Sequence, residues 1–326
     1  MHLCNSIESL IKLAGSNRLH LALGNFDGVH VGHQSLIRGI VCSAKESANL
    51  SAVVTFDPHP AQYFGKNEAF SKIDGPSVRR RLLAALGVDI LVEMQFDEVL
   101  ATMSAEKFLE NLTSGDRVQE ISVGSDFRFG KDRKGDAAFL AAFCGNKEIK
   151  SKVVDSISVG GVVASSSQIR AWIREGKVED AARMLGRPFL LSGTVVNGNR
   201  IGRTIGFPTA NISSHDQMIP GLGVYCGSLR VVSDISQQLR SEDELPCVIN
   251  IGFRPTVNSS SNTLIIEAHI YDQGPKTLDL YGHVVDLSFF QRLRDEMRFE
   301  SVEALRRQIQ LDIVAARLCS KHIDGR

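Results

Sequence analysis

The chain has 326 residues, of which 43% are hydrophobic and 23% are charged, a composition that excludes disordered and collagen-like proteins. At roughly 150 residues per domain, this length predicts two domains, each able to bury a core without disulfides or a structural metal. The 37 basic residues balance the 37 acidic ones, and a division after Gly186 keeps the balance at 22 against 22 and then 15 against 15. We therefore expect no nucleic-acid partner bound through phosphate neutralisation.

The six cysteines lie far apart and have no metal-ligand spacing, which is typical of buried thiols in a reducing compartment. No apolar run reaches the roughly 18 residues that a membrane span needs, and the first residues lack the pattern of a signal peptide. These features predict a cytoplasmic protein without a membrane segment, whose partners are small molecules. The sequence leaves the oligomeric state open.

From Leu19 to Gly186, short apolar runs alternate with amphipathic stretches. The predicted elements of this part are strands at Leu19–Leu23, Ser51–Phe56, Ile90–Val92 and Ile121–Val123, and helices at Leu36–Ala48, Ser77–Leu86, Ala105–Leu112, Gln168–Glu175 and Val178–Leu185. The alternation predicts a doubly wound α/β domain over residues 1–186, with helices on both faces of a parallel sheet. Ligands of such sheets bind at the carboxyl ends of the strands.

The pattern changes after Arg187-Pro188, and seven glycines fall between Gly193 and Gly227. Short strands are predicted at Gly193–Val196, Gly223–Cys226, Cys247–Ile249 and Leu264–Tyr271. Short strands with frequent turn signals predict a small antiparallel β-barrel over residues 187–326. The chain closes with an amphipathic helix that Ser301 caps. Its predicted apolar face comprises Val302, Leu305, Ile309, Ile313 and Ala316.

The segment from Gly24 to Gln34 joins the first predicted strand to the first helix. Its glycines let the backbone bend sharply and approach a ligand closely. His30 and His33 are three residues apart at a helix start, where unpaired N–H groups and the helix dipole favour phosphate. The residues alone leave two alternatives open, since such histidines can also be capping or solvent-facing groups, or bind zinc.

The segment from Gly202 to Asn211 contains a second candidate site. Thr209 and Asn211 are two residues apart, so both oxygens face the same way in an extended segment and suit Mg²⁺. In the later strand Leu264–Tyr271, Glu267 faces away from the apolar side. From composition alone, the glycine-rich segment can equally be a structural hairpin, and Glu267 can be a solvated surface residue.

These segments resemble the motifs of one enzyme family. The run Gly-Asn-Phe-Asp-Gly-Val-His-Val-Gly-His-Gln at 24–34 resembles the signature of the bacterial bifunctional riboflavin kinase/FMN adenylyltransferases, also called FAD synthetases. The first half of that family is similar to the His-x-Gly-His nucleotidyltransferases. Further matches in chain order are Thr55–Pro60, Val123–Gly130, Ser165–Arg170, Gly202–Asn211, the Glu-x-His of 267–269, and Leu293–Phe299.

For residues 1–186 the resemblance implies transfer of an adenylyl group from ATP to FMN, which gives FAD and pyrophosphate. The FMN phosphate is already an oxyanion, so this reaction needs in-line positioning and charge neutralisation. The resemblance assigns that catalytic role to His30, His33 and Arg170. The residues that it implies in nucleotide and flavin binding are Gly24, Phe26, Asp27, Gly28, Gly32, Asp57, Asp126, Phe127, Ser166 and Ser167. One departure is Val163, where family members often have a basic residue.

For residues 187–326 the resemblance implies transfer of a phosphoryl group from ATP to the riboflavin 5′-hydroxyl. Thr209 and Asn211 would bind Mg²⁺ with ATP, and Glu267 would be the general base that a neutral alcohol requires. The other residues implied in ATP binding are Gly202, Arg203, Thr204, Gly206 and Pro208. Two alternatives remain: a riboflavin kinase whose first domain only binds nucleotide, which Val163 keeps open, and a non-enzymatic flavin sensor.

Overall fold

The computed structural model describes residues 1–65, 70–198, 201–214, 216–232, 244–254, 263–271 and 279–323, without the side chains of 201, 203, 254 and 320–323. Contacts divide the chain into two compact units. The first consists of Met1–Lys72 and Arg79–Ser165, and the second of Ile73–Val78 and Ser166–Arg326. Among the described residues, no helix is long and apolar enough to cross a membrane.

The first unit contains a six-stranded parallel sheet in the order β1-β4-β3-β2-β5-β6. Its strands are β1 (His2–Cys4), β2 (Leu19–Leu23), β3 (Leu50–Asp57), β4 (Ile90–Gln95), β5 (Val118–Gly124) and β6 (Lys150–Val154). All five residues of β2 are buried, as expected for a central strand covered on both faces. A small hairpin follows, made of β7 (Ser158–Val159) and β8 (Val162–Val163).

Helices connect these strands, which confirms the doubly wound α/β prediction. They are α1 (Ile7–Ala14), α2 (Val31–Glu46), α3 (Pro60–Tyr63), α4 (Pro76–Ala85), α5 (Glu98–Thr102), α6 (Ala105–Leu112) and α7 (Ala137–Gly145). Several begin at side-chain caps, such as the Ser104 hydroxyl, which accepts a hydrogen bond from the backbone N–H of Lys107 at 3.1 Å. The sequence analysis did not predict β1, α1, α3, α5, α7, β6, β7 and β8.

The second unit contains a closed barrel of six antiparallel strands in the order β10-β13-β12-β11-β14-β9, which confirms the barrel prediction. Its strands are β9 (Phe189–Val196), β10 (Ala210–Ser213), β11 (Gly223–Val231), β12 (Leu245–Arg254), β13 (Thr263–Ile270) and β14 (Val284–Arg294). Its helices are α8 (Ser166–Arg174), α9 (Val178–Leu185), α10 (Ile201–Thr204) and α11 (Val302–Ile323).

Helices α8 and α9 belong to the compact unit of the barrel, although the sequence analysis assigned them to residues 1–186. The apolar face of α9 packs on β9 and β14. At the turn between the two helices, a Cβ on Gly176 would lie 2.6 Å from the Tyr225 hydroxyl oxygen. Asp74 explains why Ile73–Val78 also joins this unit, because its buried carboxylate accepts two hydrogen bonds from Arg187, at 2.8 and 2.9 Å.

The closing helix α11 packs on the outside of the barrel. Ser301 caps it as predicted, since its hydroxyl accepts a hydrogen bond from the N–H of Ala304 at 3.1 Å. Ile313 and Ala316 are buried as expected, but the predicted face was wrong at Val302, which is 52% exposed in the first turn. That turn lies beyond the part of the helix that packs against the barrel core.

A buried ion pair fixes α11 to the end of β14. The Asp312 carboxylate, 4% exposed, accepts hydrogen bonds from the guanidinium of Arg294 at 2.9 and 2.7 Å. Gln308 donates a third hydrogen bond to the same carboxylate at 2.9 Å. A buried carboxylate depends on such partners because it has lost its hydration.

We expect Arg294→Met to lower the free energy of unfolding by about 3 kcal/mol, because Asp312 would keep its charge in a buried place without a cation. Urea unfolding followed by circular dichroism measures this change. Arg306→Met, on the exposed side of the same helix, is the control and should change stability by less than about 0.5 kcal/mol. The double variant R294M/D312L should recover most of the loss, and equal stability of R294M and the wild type would contradict this role.

Candidate active sites

The loop between β2 and α2 has an unusual backbone. Phe26, Gly28 and Val29 all have positive φ, at 48°, 86° and 38°. A β-branched residue such as Val29 rarely adopts this region, and the strain costs about 1–3 kcal/mol, which is typical of functional sites. Hydrogen bonds hold the loop in place, including one from the Thr55 hydroxyl of β3 to the carbonyl of Asn25 at 3.0 Å. The loop is thus fixed at the carboxyl edge of the sheet.

His30 is the N-cap of α2. Its Nδ1 lies 3.4 Å from the backbone N–H of His33 and accepts that hydrogen bond. A neutral imidazole that accepts at Nδ1 carries its proton on Nε2, so Nε2–H is left as a donor. A Cβ on Gly32 would lie 3.1 Å from the His30 ring, so a larger residue at position 32 would crowd this imidazole.

The loop brings His33 onto the face of His30. The two rings stack with centroids 3.6 Å apart, and the buried ring of Phe26 meets His33 edge-on at 5.2 Å. Gly24 lies beneath this group, since a Cβ there would be 2.9 Å from the ring of Phe26. The predicted residues Gly24, Phe26, His30, Gly32 and His33 therefore form one cluster. Among the described residues, no three histidine, cysteine or acidic side chains are arranged to hold a metal ion.

Burial keeps both imidazoles neutral. It lowers the pKa of His30 to about 4, against a partly opposing effect of the Asp126 carboxylate. Burial also lowers the pKa of His33 well below its usual value, and the neighbouring His30 lowers it further. At neutral pH these rings can therefore donate hydrogen bonds to a phosphoryl group but add no positive charge.

The other predicted residues of this part lie on several elements. Asp27 is buried next to Gly28 in the loop, and Asp57 ends β3. Asp126 follows β5 and is exposed, and its carboxylate is close enough to His30 to raise the pKa of that imidazole. The half-buried ring of Phe127 stacks on Phe129 with centroids 5.5 Å apart.

The predicted nucleotide-binding segment Ser165–Arg170 lies at the start of α8. Ser166 and Ser167 occupy its first turn and Arg170 follows one turn later, so all three belong to the second compact unit. Val163 lies on β8 with 50% of its surface exposed. The sequence analysis predicted the helix start, and the helix begins within two residues of that expectation.

In the barrel, the register of β10 and β13 places Asn211 directly opposite Glu267. Asn250 of β12 is the partner of Glu267 on its other side, so the three residues form a row across three strands. Ile266 and Ala268 point into the barrel and are buried, whereas Glu267 is half-buried on the outer face. The predicted pleat of this strand is confirmed. The segment that begins at Asn250 resembles the family's motifs around this site, and the strand register adds its pairing with Glu267.

Glycines shape the approach to this row. The backbone at Gly198 lies against the Asn211 amide group, since a Cβ there would come within contact of its side chain. A Cβ on Gly202 would collide with the carbonyl of Phe207 and lie 3.2 Å from the Thr209 hydroxyl. Gly206 has a φ of 87°, and Thr209 is half-buried. The side chain of Arg203, predicted to bind ATP, lies outside the described residues.

His269 lies beside the row and holds the glycine-rich segment. Its Nδ1 donates a hydrogen bond to the carbonyl of Pro208 at 2.8 Å, and its ring meets Phe207 edge-on at 5.4 Å. Burial lowers the pKa of His269, although the bond to Pro208 opposes this. Thr204 and Pro208 are exposed, at the side of the segment that faces solvent.

Comparisons with known proteins match each part of the chain. The family model described as FAD synthetase matches residues 14–168, and that of riboflavin kinase matches residues 185–319. The bifunctional riboflavin kinase/FMN adenylyltransferase of Escherichia coli K12 is 35% identical over 298 residues, which cover 91% of each chain. The chain belongs to this family. It is therefore a bifunctional enzyme that phosphorylates riboflavin and adenylylates FMN, with ATP and flavins as its ligands.

Other members of the family are similar over the same length. The enzyme of Pseudomonas fluorescens is 36% identical and covers 90% of this chain and 91% of its own. That of Listeria monocytogenes is 34% identical and covers 90% and 89%. A crystal structure titled as a macrolide-efflux protein from Streptococcus pneumoniae is 27% identical, with a TM-score of 0.82 over 97% of this chain and 98% of that one.

The lowered pKa of His30 gives a testable pH dependence. Folded His30 stays neutral down to about pH 4, whereas the unfolded residue takes up a proton below pH 6.5. The contribution of His30 to the free energy of unfolding is therefore fully present above pH 6.5, and it falls by up to about 3 kcal/mol as the pH approaches 4. His30→Asn, which keeps an N-cap acceptor, should have a flatter curve of unfolding free energy against pH. Parallel curves for the variant and the wild type would contradict the effect of burial.

Proposed function

We propose that the two activities use separate sites on this chain. Residues 1–186 transfer the adenylyl group to FMN, with the cluster of His30 and His33 at the centre of that site. Residues 187–326 phosphorylate riboflavin at the row of Asn211 and Glu267. The limits of the two family matches support this division. The six cysteines, all among the described residues and all free, support a cytoplasmic enzyme.

The kinase step needs a base, because its acceptor is a neutral hydroxyl. Glu267 accepts the proton of the riboflavin 5′-hydroxyl as the oxygen attacks the γ-phosphorus of ATP. Its half-buried place on the outer face of β13, opposite Asn211, supports this role. The riboflavin oxygen gains the phosphoryl group, and ADP leaves with the electron pair of the broken bond.

The donors in the kinase site fit Mg²⁺. Thr209 and Asn211 offer a hydroxyl and an amide oxygen, which are hard ligands of the kind that Mg²⁺ prefers. Gly198 and Gly202 support the fit, since a Cβ at either position would fill the space next to these two side chains. A bound Mg²⁺ supplies charge neutralisation for the ATP phosphates. Gly202, Arg203, Thr204, Gly206 and Pro208 bind the nucleotide from the glycine-rich segment.

The adenylyl transfer needs no strong base. The phosphate oxygen of FMN attacks the α-phosphorus of ATP, and pyrophosphate leaves. His30 donates a hydrogen bond from Nε2 to the charge that develops on the phosphoryl oxygens, and His33 stacks against it and fixes its plane. Both rings are neutral and add no positive charge, and the resemblance to the family assigns phosphate binding in this reaction to Arg170 with the hydroxyls of Ser166 and Ser167.

The remaining predicted residues bind the flavin and nucleotide of this site. Gly24, Gly28 and Gly32 let the backbone approach the ligand, and Phe26 supports the histidine cluster. Asp27, Asp57, Asp126 and Phe127 line the flavin and nucleotide side. Product analysis after incubation with riboflavin, ATP and Mg²⁺ tests the order of the two reactions, and FMN must appear first and FAD after it.

Glu267→Gln should lower the rate of FMN formation by at least about 100-fold, because the amide cannot take up the hydroxyl proton. The same preparation should make FAD from supplied FMN at the normal rate, which shows that the chain is folded. Glu303→Gln, an exposed residue in the first turn of α11, is the matched control. Normal FMN formation by E267Q would rule out Glu267 as the base.

His30→Asn should have the opposite effect. It keeps a side-chain cap for α2 but removes the Nε2–H donor, so FAD formation should fall by about 100-fold. His30→Ala also removes the cap and should in addition unfold more readily. His2→Ala, on the exposed strand β1, serves as the control. Riboflavin phosphorylation should stay normal in all three, and an unchanged FAD yield in H30N would exclude the phosphoryl-stabilising role.

A further inference from the structure

A buried lysine pairs with the carboxylate that ends β3. The Lys72 ammonium lies 2.5 Å from Oδ1 of Asp57, with 10% of the lysine side chain exposed against 46% of the aspartate side chain. The cation therefore lies behind the carboxylate, and the carboxylate is the group that faces outward. Burying the lysine ammonium costs its hydration, and a half-exposed carboxylate returns only part of that cost, so stability alone does not account for this pair.

The pair lies at the edge of the sheet that carries the histidine loop. Thr55, two residues before Asp57 on the same face of β3, donates its hydroxyl hydrogen to the Asn25 carbonyl of that loop. The backbone N–H of Gly24 also bonds to β3, at the Val54 carbonyl 3.2 Å away. Asp57 is thus beside the loop that leads into His30.

A second carboxylate on this face is neutralised in the same way. Glu93 of β4 is the register partner of Thr55, so it shares the face of Thr55 and Asp57. It accepts hydrogen bonds from Arg79 at 3.1 Å and from Arg80. Lys72, Arg79 and Arg80 come from one short stretch of the chain, and this stretch supplies the cations for both carboxylates.

We propose that Lys72 is a positioning residue for adenylyl transfer, which holds Asp57 in place and cancels its charge toward the phosphates of the bound nucleotides. FMN and ATP are both anions, and an uncompensated carboxylate next to their site would repel them. With Lys72 behind it, Asp57 can accept a hydrogen bond from an N–H or O–H group of the ligand without that penalty. The inference rests on the proposed place of Asp57 in the adenylyl-transfer site.

Kinetics of FAD formation by the full-length enzyme test this role. Lys72→Met should raise the KM for ATP about tenfold at low ionic strength and change kcat by less than about twofold. The reason is that the unpaired Asp57 carboxylate repels the ATP phosphates and so weakens ATP binding. Added salt should reduce the defect because it screens the repulsion. Lys72→Arg should keep the wild-type KM. Lys107→Met, which breaks the exposed pair with Glu110, is the matched control and should change nothing.

The double variant K72M/D57N separates charge compensation from a structural role. Removing the carboxylate removes the repulsion, so its KM for ATP should return to that of D57N alone. A pair with only a structural role would instead lower the free energy of unfolding of K72M and leave its KM for ATP at the wild-type value, and that result overturns the proposal. Lys72→Gln, which keeps a hydrogen-bond donor without charge, should share the defect of K72M, and a wild-type KM in K72Q would also overturn it.

Two controls keep this test separate from that of the proposed site. Riboflavin phosphorylation, measured in the same preparations, should be normal and reports that each variant is folded. If H30N still makes FAD, the proposed catalytic cluster is wrong, whereas the ratio of KM between K72M and K72M/D57N remains a measure of charge compensation alone.

Discussion

Strand register is the constraint on which both candidate sites depend. The parallel pairing of β2 with β3 brings the histidine loop and Asp57 to one edge of the sheet. In the barrel, the antiparallel pairing of β10 with β13 sets Asn211 opposite Glu267. A slip of one residue in either ladder would turn these side chains to the other face, where apolar packing would oppose them. Apolar packing in the two cores therefore fixes the strand register, and with it the positions of the candidate site residues.

The two sites solve different electrostatic problems. Alcohol phosphorylation needs a group that can hold a proton, and the half-buried carboxylate of Glu267, opposite Asn211, is the proposed base. Adenylyl transfer starts from an oxyanion, and the neutral, stacked imidazoles of His30 and His33 offer directed hydrogen bonds without charge. Zero net charge in the chain agrees with both, because each site needs only local positive charge. The pairs of Lys72 with Asp57 and of Arg294 with Asp312 keep other carboxylates neutralised.

Short-range sequence patterns predicted the elements that have a clear hydrophobic period or a glycine-containing turn. The glycine turn with His30 and His33, the helix Ala105–Leu112 and the pleat of β13 are all where the pattern indicates. Elements with weak periodicity were not predicted. Strand β6 has a mostly exposed pattern, and α7 is apolar on all sides, so neither has the period that sequence reasoning detects. The candidate site residues came from motifs, whereas the neighbouring Lys72 came only from contacts.

The sequence by itself determined an α/β sheet followed by a barrel, because hydrophobic period and turn residues act over short distances. Its motifs supplied the candidate site residues through their resemblance to the family. Tertiary structure decided which elements pack against each other and which side chains are buried between them. It placed α8, α9 and Ile73–Val78 with the barrel, buried His30 so that its pKa falls, and put a lysine behind Asp57. Those outcomes depend on residues far apart in the chain, and burial and charge pairing become definite only when the chain is folded.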